Sequence, residues 1–355
     1  MSSTHSTGST SLATMANSRD VMRARFAAQL LVESTARTPH DVVHHLLAVQ
    51  AQDPRGMRLS VRPRCPRAVQ ADIDRALTDG SLVVGWLNRG TLHLVCAEDY
   101  WWLHAVTTPQ LRTGNARRLL QEGVDEDAGE RGVEVIESAL ATHGPRTRAQ
   151  LRSELDAANV PTAGQALVHL LLRASIAGKA VRGPMLDNEH AFVGAHSWLG
   201  PPPRIDHDHV YADLASRYLR GHGPADDRDL AKWAGITLRS ARTGLGLARG
   251  LVTRGDGLWD LAERDGVPGT PRPTLLGPFD PLLLGWQSRD EVIGDHEGLV
   301  TSNGLFRAFA LVKGRAVATW RLRGTDVELE PLERLTAHDV RALDEDAADV
   351  ARYVA

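Results

Sequence analysis

The sequence predicts an α+β protein in which three helices followed by a β-hairpin recur about three times before a β-rich C-terminal unit. Three observations predict it. Residues 18–77 carry apolar side chains at helical spacing in three blocks, residues 82–95 switch to two short apolar runs about Asn88-Arg89-Gly90, and the same order returns further along the chain. The length of 355 residues accommodates two or three domains or several small modules. With 42% hydrophobic and 24% charged residues, the composition sets aside a disordered, collagenous or coiled-coil chain.

In the first block Val21, Phe26, Leu30 and Leu31 recur at helical spacing over 18–34. Thr38-Pro39-His40-Asp41 carries helix-start chemistry, and an apolar stripe from Val42 to Val49 predicts a second helix reaching Gln50, with Asp53-Pro54 as its stop. A loop rich in Arg and Pro is expected next, then a helix over 69–77. The runs 82–87 and 91–95 form a hairpin, completing the order of a winged helix over 18–125. A second unit over 126–203 reads as helices at 133–140, 148–155 and 165–176 with strands near 179–182 and 191–195, and Pro201-Pro202-Pro203 serves as a linker. A third, over 204–268, has helices at 210–219, 227–234 and 238–248 and a wing around Gly255-Asp256-Gly257. In 269–355 the runs 305–312, 315–321 and 327–329 read as a β-meander closed by a helix over 338–350.

Residues 1–17 are rich in Ser and Thr without the basic or apolar regions of a signal peptide, so a disordered tail is expected there. No apolar run reaches membrane-span length, and two cysteines, Cys65 and Cys96, fit a reducing compartment. The expectation is a soluble cytoplasmic protein. Charge is uneven: residues 1–120 hold 14 Arg against 9 acidic groups, a surplus of +5, while the remainder, 27 basic against 35 acidic, carries −8. Lysine occurs only at 179, 232 and 313. Guanidinium is the better fork for phosphate and guanine, although an Arg-rich, Ala-rich composition is equally what a GC-rich genome writes.

Gln50 and Gln52 are the chemically interesting pair. An amide is neither acid nor base near neutrality, but it donates and accepts at once and can hold a water in place. On a helix, residues two apart point about 200° from each other, so both can serve one site only if the helix stops between them. Solvated glutamines at a helix end are the ordinary alternative.

The strings Leu47-Ala48-Val49-Gln50-Ala51-Gln52-Asp53, Trp86-Leu87-Asn88-Arg89-Gly90-Thr91-Leu92-His93-Leu94-Val95 and Phe279-Asp280-Pro281-Leu282-Leu283-Leu284-Gly285-Trp286 with Arg289 together resemble the AlkZ/YcaQ family of winged-helix bacterial DNA glycosylases. The resemblance runs from about Ser18 into the C-terminal region, with the strings in the family's order. It implies a C-shaped array of tandem winged helices around DNA and hydrolysis of the N-glycosidic bond of alkylated purines. Gln50 and Gln52 match the catalytic Gln-x-Gln of the AlkZ branch, whose members are linked to self-resistance against DNA-alkylating natural products, including crosslinkers. Ala51 stands where the family often has a bulkier aliphatic residue. The expected substrate is double-stranded DNA carrying an N7-alkylguanine, already cationic and able to leave without protonation. No lysine lies near the glutamines in sequence to form a Schiff base, so a monofunctional enzyme, acting as a monomer without cofactor or metal, is expected.

Thr91 and His93 share one face of the hairpin strand. With Arg89 they either line the site or touch phosphate; a solvated arginine and a core histidine are the alternative. Arg55, Arg58, Arg62, Arg64 and Arg67 follow the glutamines and would meet the DNA backbone, or form a solvated loop. Lys313 and Arg315 flank Gly314 at a hairpin tip that could probe a groove. Asp206-His207-Asp208-His209 has metal-ligand residue types but no spaced partner set. Trp101, Trp102 and Trp233 read as core. Two other functions fit the same fold: a winged-helix regulator in which the glutamines are incidental, and a protein that sequesters the alkylating metabolite.

Overall fold

The computed structural model describes residues 8–355 apart from 187, 188, 208, 255, 256, 265–268, 302 and 303, and describes no side chain for 8–17 or 297. Helix α1 (Gly8–Ala28) begins inside the segment expected as a disordered tail. Ser and Thr are only weakly unfavourable in a helix, and Leu12, Ala13, Met15 and Ala16 are good helix formers. Residues 1–7 of that expected tail lie outside the described ones.

Helix α2 (Pro39–Leu46) starts as expected, on a Thr38–Asp41 capping box with proline in its first turn. Its end corrects the sequence reading. Leu47 turns the chain at φ 67°, and Val49–Gln50 form a short strand, β1, instead of a last helical turn. Asp53-Pro54 is a start and not a stop: Asp53 accepts the Gly56 N–H and Pro54 opens α3 (Pro54–Val61), where a loop was expected. Helix α4 (Gln70–Thr78) leads into β2 (Leu82–Leu87) and β3 (Thr91–Cys96), the expected hairpin. Next come α5 (Ala97–Thr107), α6 (Leu111–Gln121), α7 (Glu126–His143), α8 (Arg148–Ala157) and α9 (Ala166–Ile176), then β4 (Ala180–Leu186), β5 (Glu189–Gly194) and α10 (Ala195–Leu199). The three-helix and hairpin order returns as α11 (Val210–His222), α12 (Asp227–Ala234) and α13 (Leu238–Leu247) with β6 (Leu251–Thr253) and β7 (Trp259–Leu261). Gly255 and Asp256, expected in that last turn, lie outside the described residues.

The C-terminal meander matches its expectation and gains an edge strand. β8 (Thr274–Leu276) pairs with β9 (Phe309–Val312), which pairs with β10 (Arg315–Arg323) and β11 (Asp326–Pro331). The four-residue α14 (Asp290–Ile293) lies between β8 and β9, and α15 (Ala337–Val354) closes the chain.

The hairpins over 82–96 and 180–194 join into one five-stranded sheet, order β1-β3-β2-β4-β5, through the Val84–Arg182 pair. Its two faces feed two cores. Leu82, Val84, Trp86, Leu92 and Leu94 pack with α7–α9 and the C-terminal sheet, while Val83, Leu87 and Val95 pack with Tyr100, Trp101, Trp233 and Trp286. Trp101 and Trp233 are buried and Trp102 is partly so, as expected. No helix among the described residues is long and apolar enough to cross a membrane.

Candidate active site

Strand geometry brings the two glutamines to one side. Gln50 stands opposite His93 across the β1–β3 pair, and on extended backbone Gln52 faces the same way while Ala51 turns into the opposite core. Ala51 N–H donates to the Leu92 carbonyl at 2.7 Å, holding the segment against β3. Both amide carbonyls are pinned by groups that only donate: Arg89 Nη2 to Gln50 Oε1 at 3.2 Å, and the Leu92 N–H to Gln52 Oε1 at 3.0 Å. Each oxygen keeps a second lone pair and each Nε2 its two donors. Gln50 is 8% exposed and Gln52 lies open to solvent.

Arg89 is a clamp. Its Nη1 donates to the Lys232 carbonyl at 3.2 Å and to the Trp233 carbonyl, both in the last turn of α12, where free carbonyls favour a cation. Gly235 permits this approach: at φ 70° a Cβ there would stand 3.0 Å from the Arg89 backbone nitrogen. Gln50, Arg89, Thr91, Lys232, Arg289 and Phe306 are among the residues around a cavity of about 240 Å³. Lys232 Nζ donates to the Gln287 carbonyl at 2.9 Å, and the Arg289 guanidinium lies 4.9 Å over the Phe306 ring. Burial, then the neighbouring Arg289, lowers the pKa of both Arg89 and Lys232. No carboxylate or imidazole lines this cavity among the described residues. Thr91 Oγ1 is buried and has no hydrogen-bond partner among them.

His93 sits behind the glutamines, 2% exposed, its Nδ1–H donating to the Thr91 carbonyl at 2.9 Å. Burial, then Arg89, pushes its pKa down to about 3, so it is neutral and no acid catalyst. It is one of four such histidines: burial also holds His222 at about 3 and His45 and His190 at about 4. An unfolded histidine titrates near 6.5, so below that pH the unfolded chain binds the extra protons. The stability these groups leave intact above pH 6.5 is therefore lost as pH falls toward 3. At pH 5 His93 and His222 should each cost about 2 kcal/mol. The urea midpoint is expected to drop steeply between pH 7 and 5, and a flat midpoint would contradict the burial of neutral imidazoles.

The arginines after Gln52 divide. Arg55 is exposed and has no ion pair among the described residues. Arg58, Arg62 and Arg64, expected to face DNA, are instead 5%, 0% and 0% exposed. They lie on the inward side of α3 and the turn after it, where Arg58 pairs with Asp74, Arg62 with Asp346 and Asp349, and Arg64 with Asp280. Arg67 is exposed. Lys313 and Arg315 are exposed, but their hairpin tip is no free probe: Gly314 is seated so tightly that a Cβ would stand 2.8 Å from the Phe26 ring of α1. Sequence reading missed Lys232, which the fold carries into the glutamine cavity from a distant helix; no local pattern marks it.

His40, Cys96 and Glu98 hold potential metal-ligand atoms within 4.8 Å of one another, away from the glutamine cavity. Burial raises the Cys96 pKa, which opposes the thiolate a metal requires. His209 Nδ1 lies 2.9 Å from Asp206, and Asp208 of that run is outside the described residues.

The family model described as DNA glycosylase AlkZ-like matches residues 43–353. An interstrand DNA cross-link repair glycosylase of Streptomyces sahachiroi is 28% identical over 366 residues, an alignment covering 94% of this chain and 95% of that protein. The structure of the Streptomyces sahachiroi DNA glycosylase AlkZ matches with a TM-score of 0.77 at 25% identity, over 94% of this chain and 96% of that one. The chain thus belongs to the AlkZ-like DNA glycosylases, hydrolases of the N-glycosyl bond.

Proposed function

We propose that Gln50 and Gln52 are the catalytic pair of a monofunctional glycosylase that excises N7-alkylguanine from double-stranded DNA. The observation that carries this is the arrangement of two same-facing amides, each with its carbonyl pinned, beside a cavity lined by cations without a carboxylate or imidazole among the described residues. Its one titratable proton donor, Lys232, is turned to the Gln287 carbonyl, so the site is poorly equipped to protonate a leaving group. It needs a base that departs unaided, and N7 alkylation provides one. As the C1′–N9 bond breaks, its electron pair neutralises the cationic purine and C1′ takes oxocarbenium character. A water held by the free lone pair and Nε2 of the amides adds to C1′ and loses its proton to solvent. Thr91 Oγ1 is the further polar group facing that water, and Lys232 and Arg289 face the phosphates beside the lesion. Arg55, Lys313 and Arg315 remain backbone contacts in this reading.

The helix–hairpin groups act as about three winged-helix units in a C around the duplex, in a cytoplasmic monomer without cofactor or metal. The name of the Streptomyces sahachiroi relative extends the reading to interstrand crosslinks, and the family resemblance extends it to self-resistance against a DNA-alkylating natural product. Although Lys232 reaches the cavity, its Nζ is committed to the Gln287 carbonyl, which favours water over a Schiff base.

Single-turnover assays on duplexes carrying simple and bulky N7-alkylguanine, uracil or 8-oxoguanine test this. Abasic sites are expected from the N7 adducts alone, with no borohydride-trapped protein–DNA adduct. Uracil excision would overturn the substrate assignment, a trapped adduct the monofunctional one. Tight sequence-selective binding without excision of any N7 adduct would favour a regulator.

A further inference from the structure

A second basic cavity, of about 560 Å³, opens between α3, α4, the start of α8 and the hairpin over 180–194. Arg55, Arg58, Arg148 and Arg182 line it, against two carboxylates, Asp74 and Glu189, leaving a charge of +2. Asp74 is already paired with Arg58. Arg182 and Arg148 have no ion pair or side-chain hydrogen bond among the described residues.

Arg182 is held in place with nothing to hold. Its guanidinium carbon lies 5.0 Å from each ring centroid of the stacked Trp86–Phe192 pair, and its Nε is buried without a partner. Burial, then Arg148, pulls its pKa down to about 10, so it remains a cation. His190 adds no further positive charge: burial, then Arg58 and Arg182, keeps that imidazole neutral, and its Nδ1 is also unpartnered among the described residues. Glu189 offsets that burial only at a distance, with no hydrogen bond or ion pair to Arg182; a desolvated guanidinium without a bonded anion is costly, and a phosphodiester supplies both the charge and the paired acceptors that its fork matches.

The cavity is on the Trp86 and Phe192 side of the sheet, away from the face that carries the glutamines. Arg55 lines it and also lines a larger cavity of about 840 Å³ that includes Asp53, the residue after Gln52. We propose that this cavity between α3, α4, α8 and the hairpin over 180–194 is a built binding site for a backbone phosphate of the DNA strand, with Arg182 and Arg148 as its ligands. This rests on the glycosylase reading and adds to it a fixed anchor away from the reacting sugar.

The test is the salt dependence of binding to an undamaged duplex by fluorescence anisotropy. For Arg182→Gln, and separately for the exposed Arg148→Gln, the slope of log affinity against log salt is expected to fall by about one. Arg182→Lys should keep most of it. A duplex scanned with single methylphosphonates should show one position whose neutralisation weakens wild type several-fold and Arg182→Gln not at all. An unchanged slope in both Gln variants, with unchanged urea midpoints, overturns the proposal. So does a methylphosphonate profile identical in wild type and Arg182→Gln. If Arg182→Gln fails to fold, Arg148→Gln and its own scan decide. Because this assay uses undamaged DNA, its outcome is independent of excision, and a failure of the glycosylase reading would show in the excision assay and not here.

Discussion

Gln50→Ala is expected to slow single-turnover excision of N7-methylguanine by about 10²–10³-fold while duplex affinity stays within about twofold, a loss typical of removing one preorganised polar group from a reacting centre. The magnitude follows from how the amide is held. Arg89 fixes the Gln50 carbonyl and is itself fixed by two carbonyls of α12, so the group meets the water with little reorganisation. Gln52, exposed and pinned only by the Leu92 N–H, should lose less on truncation to Ala, about 10–10²-fold. Gln50→Glu separates position from chemistry: it preserves an acceptor toward Arg89 but removes the Nε2 donors, so a rate near that of the Ala variant would assign the donor as the essential half. Full excision by both Ala variants would remove the glutamines from the mechanism.

Asp280→Asn is the second large effect, expected to cost about 3–5 kcal/mol in urea denaturation, the range for breaking a buried ion pair from one side. Arg64 and Asp280 are both 0% exposed and share two contacts of 2.8 Å. Arg64 also donates to the carbonyls of Gln29 and Ser60, at 2.8 and 2.7 Å, and to Gln29 Oε1. Asp280 accepts the Leu282 N–H at 2.9 Å, fixing the turn that leads to Trp286 and Arg289. Losing the carboxylate strands a guanidinium in a dry interior, so Arg64→Met/Asp280→Asn should cost less than the two single changes added together. A loss below about 1 kcal/mol for Asp280→Asn would mean that water reaches the pair.

These two predictions mark where sequence reading ends. The hairpin over 82–95, the C-terminal meander and helices such as α12 are local: alternation, a turn and a cap specify each within about a dozen residues. Asp53-Pro54 shows the limit of local signals, because a proline that cannot sit inside a helix is also a favoured first residue of one. β1 is two residues long and exists only because β3 lies beside it, so no periodicity announces it. The buried arginines were harder still. Their charge says exposed, and what overrides it for Arg62 and Arg64 is aspartates at 346 and 280, more than 200 residues away, brought close by folding. Lys232 reaches the cavity by the same long-range route. The glutamines themselves were legible as a motif; the clamp that aims them was not.

That clamp ties catalytic competence to the order in which the chain is made. Gln50 and Arg89 emerge early during synthesis, but the carbonyls that hold Arg89 belong to residues 232 and 233. A fragment released before α12 would carry Gln50 on β1 and Gln52 just after it with an unrestrained Arg89 and a Gln50 amide free to rotate. In the proposed mechanism such a product would lack the fixed amide orientation that excision requires. Activity would belong to the finished chain, with the third helix group acting as its latch.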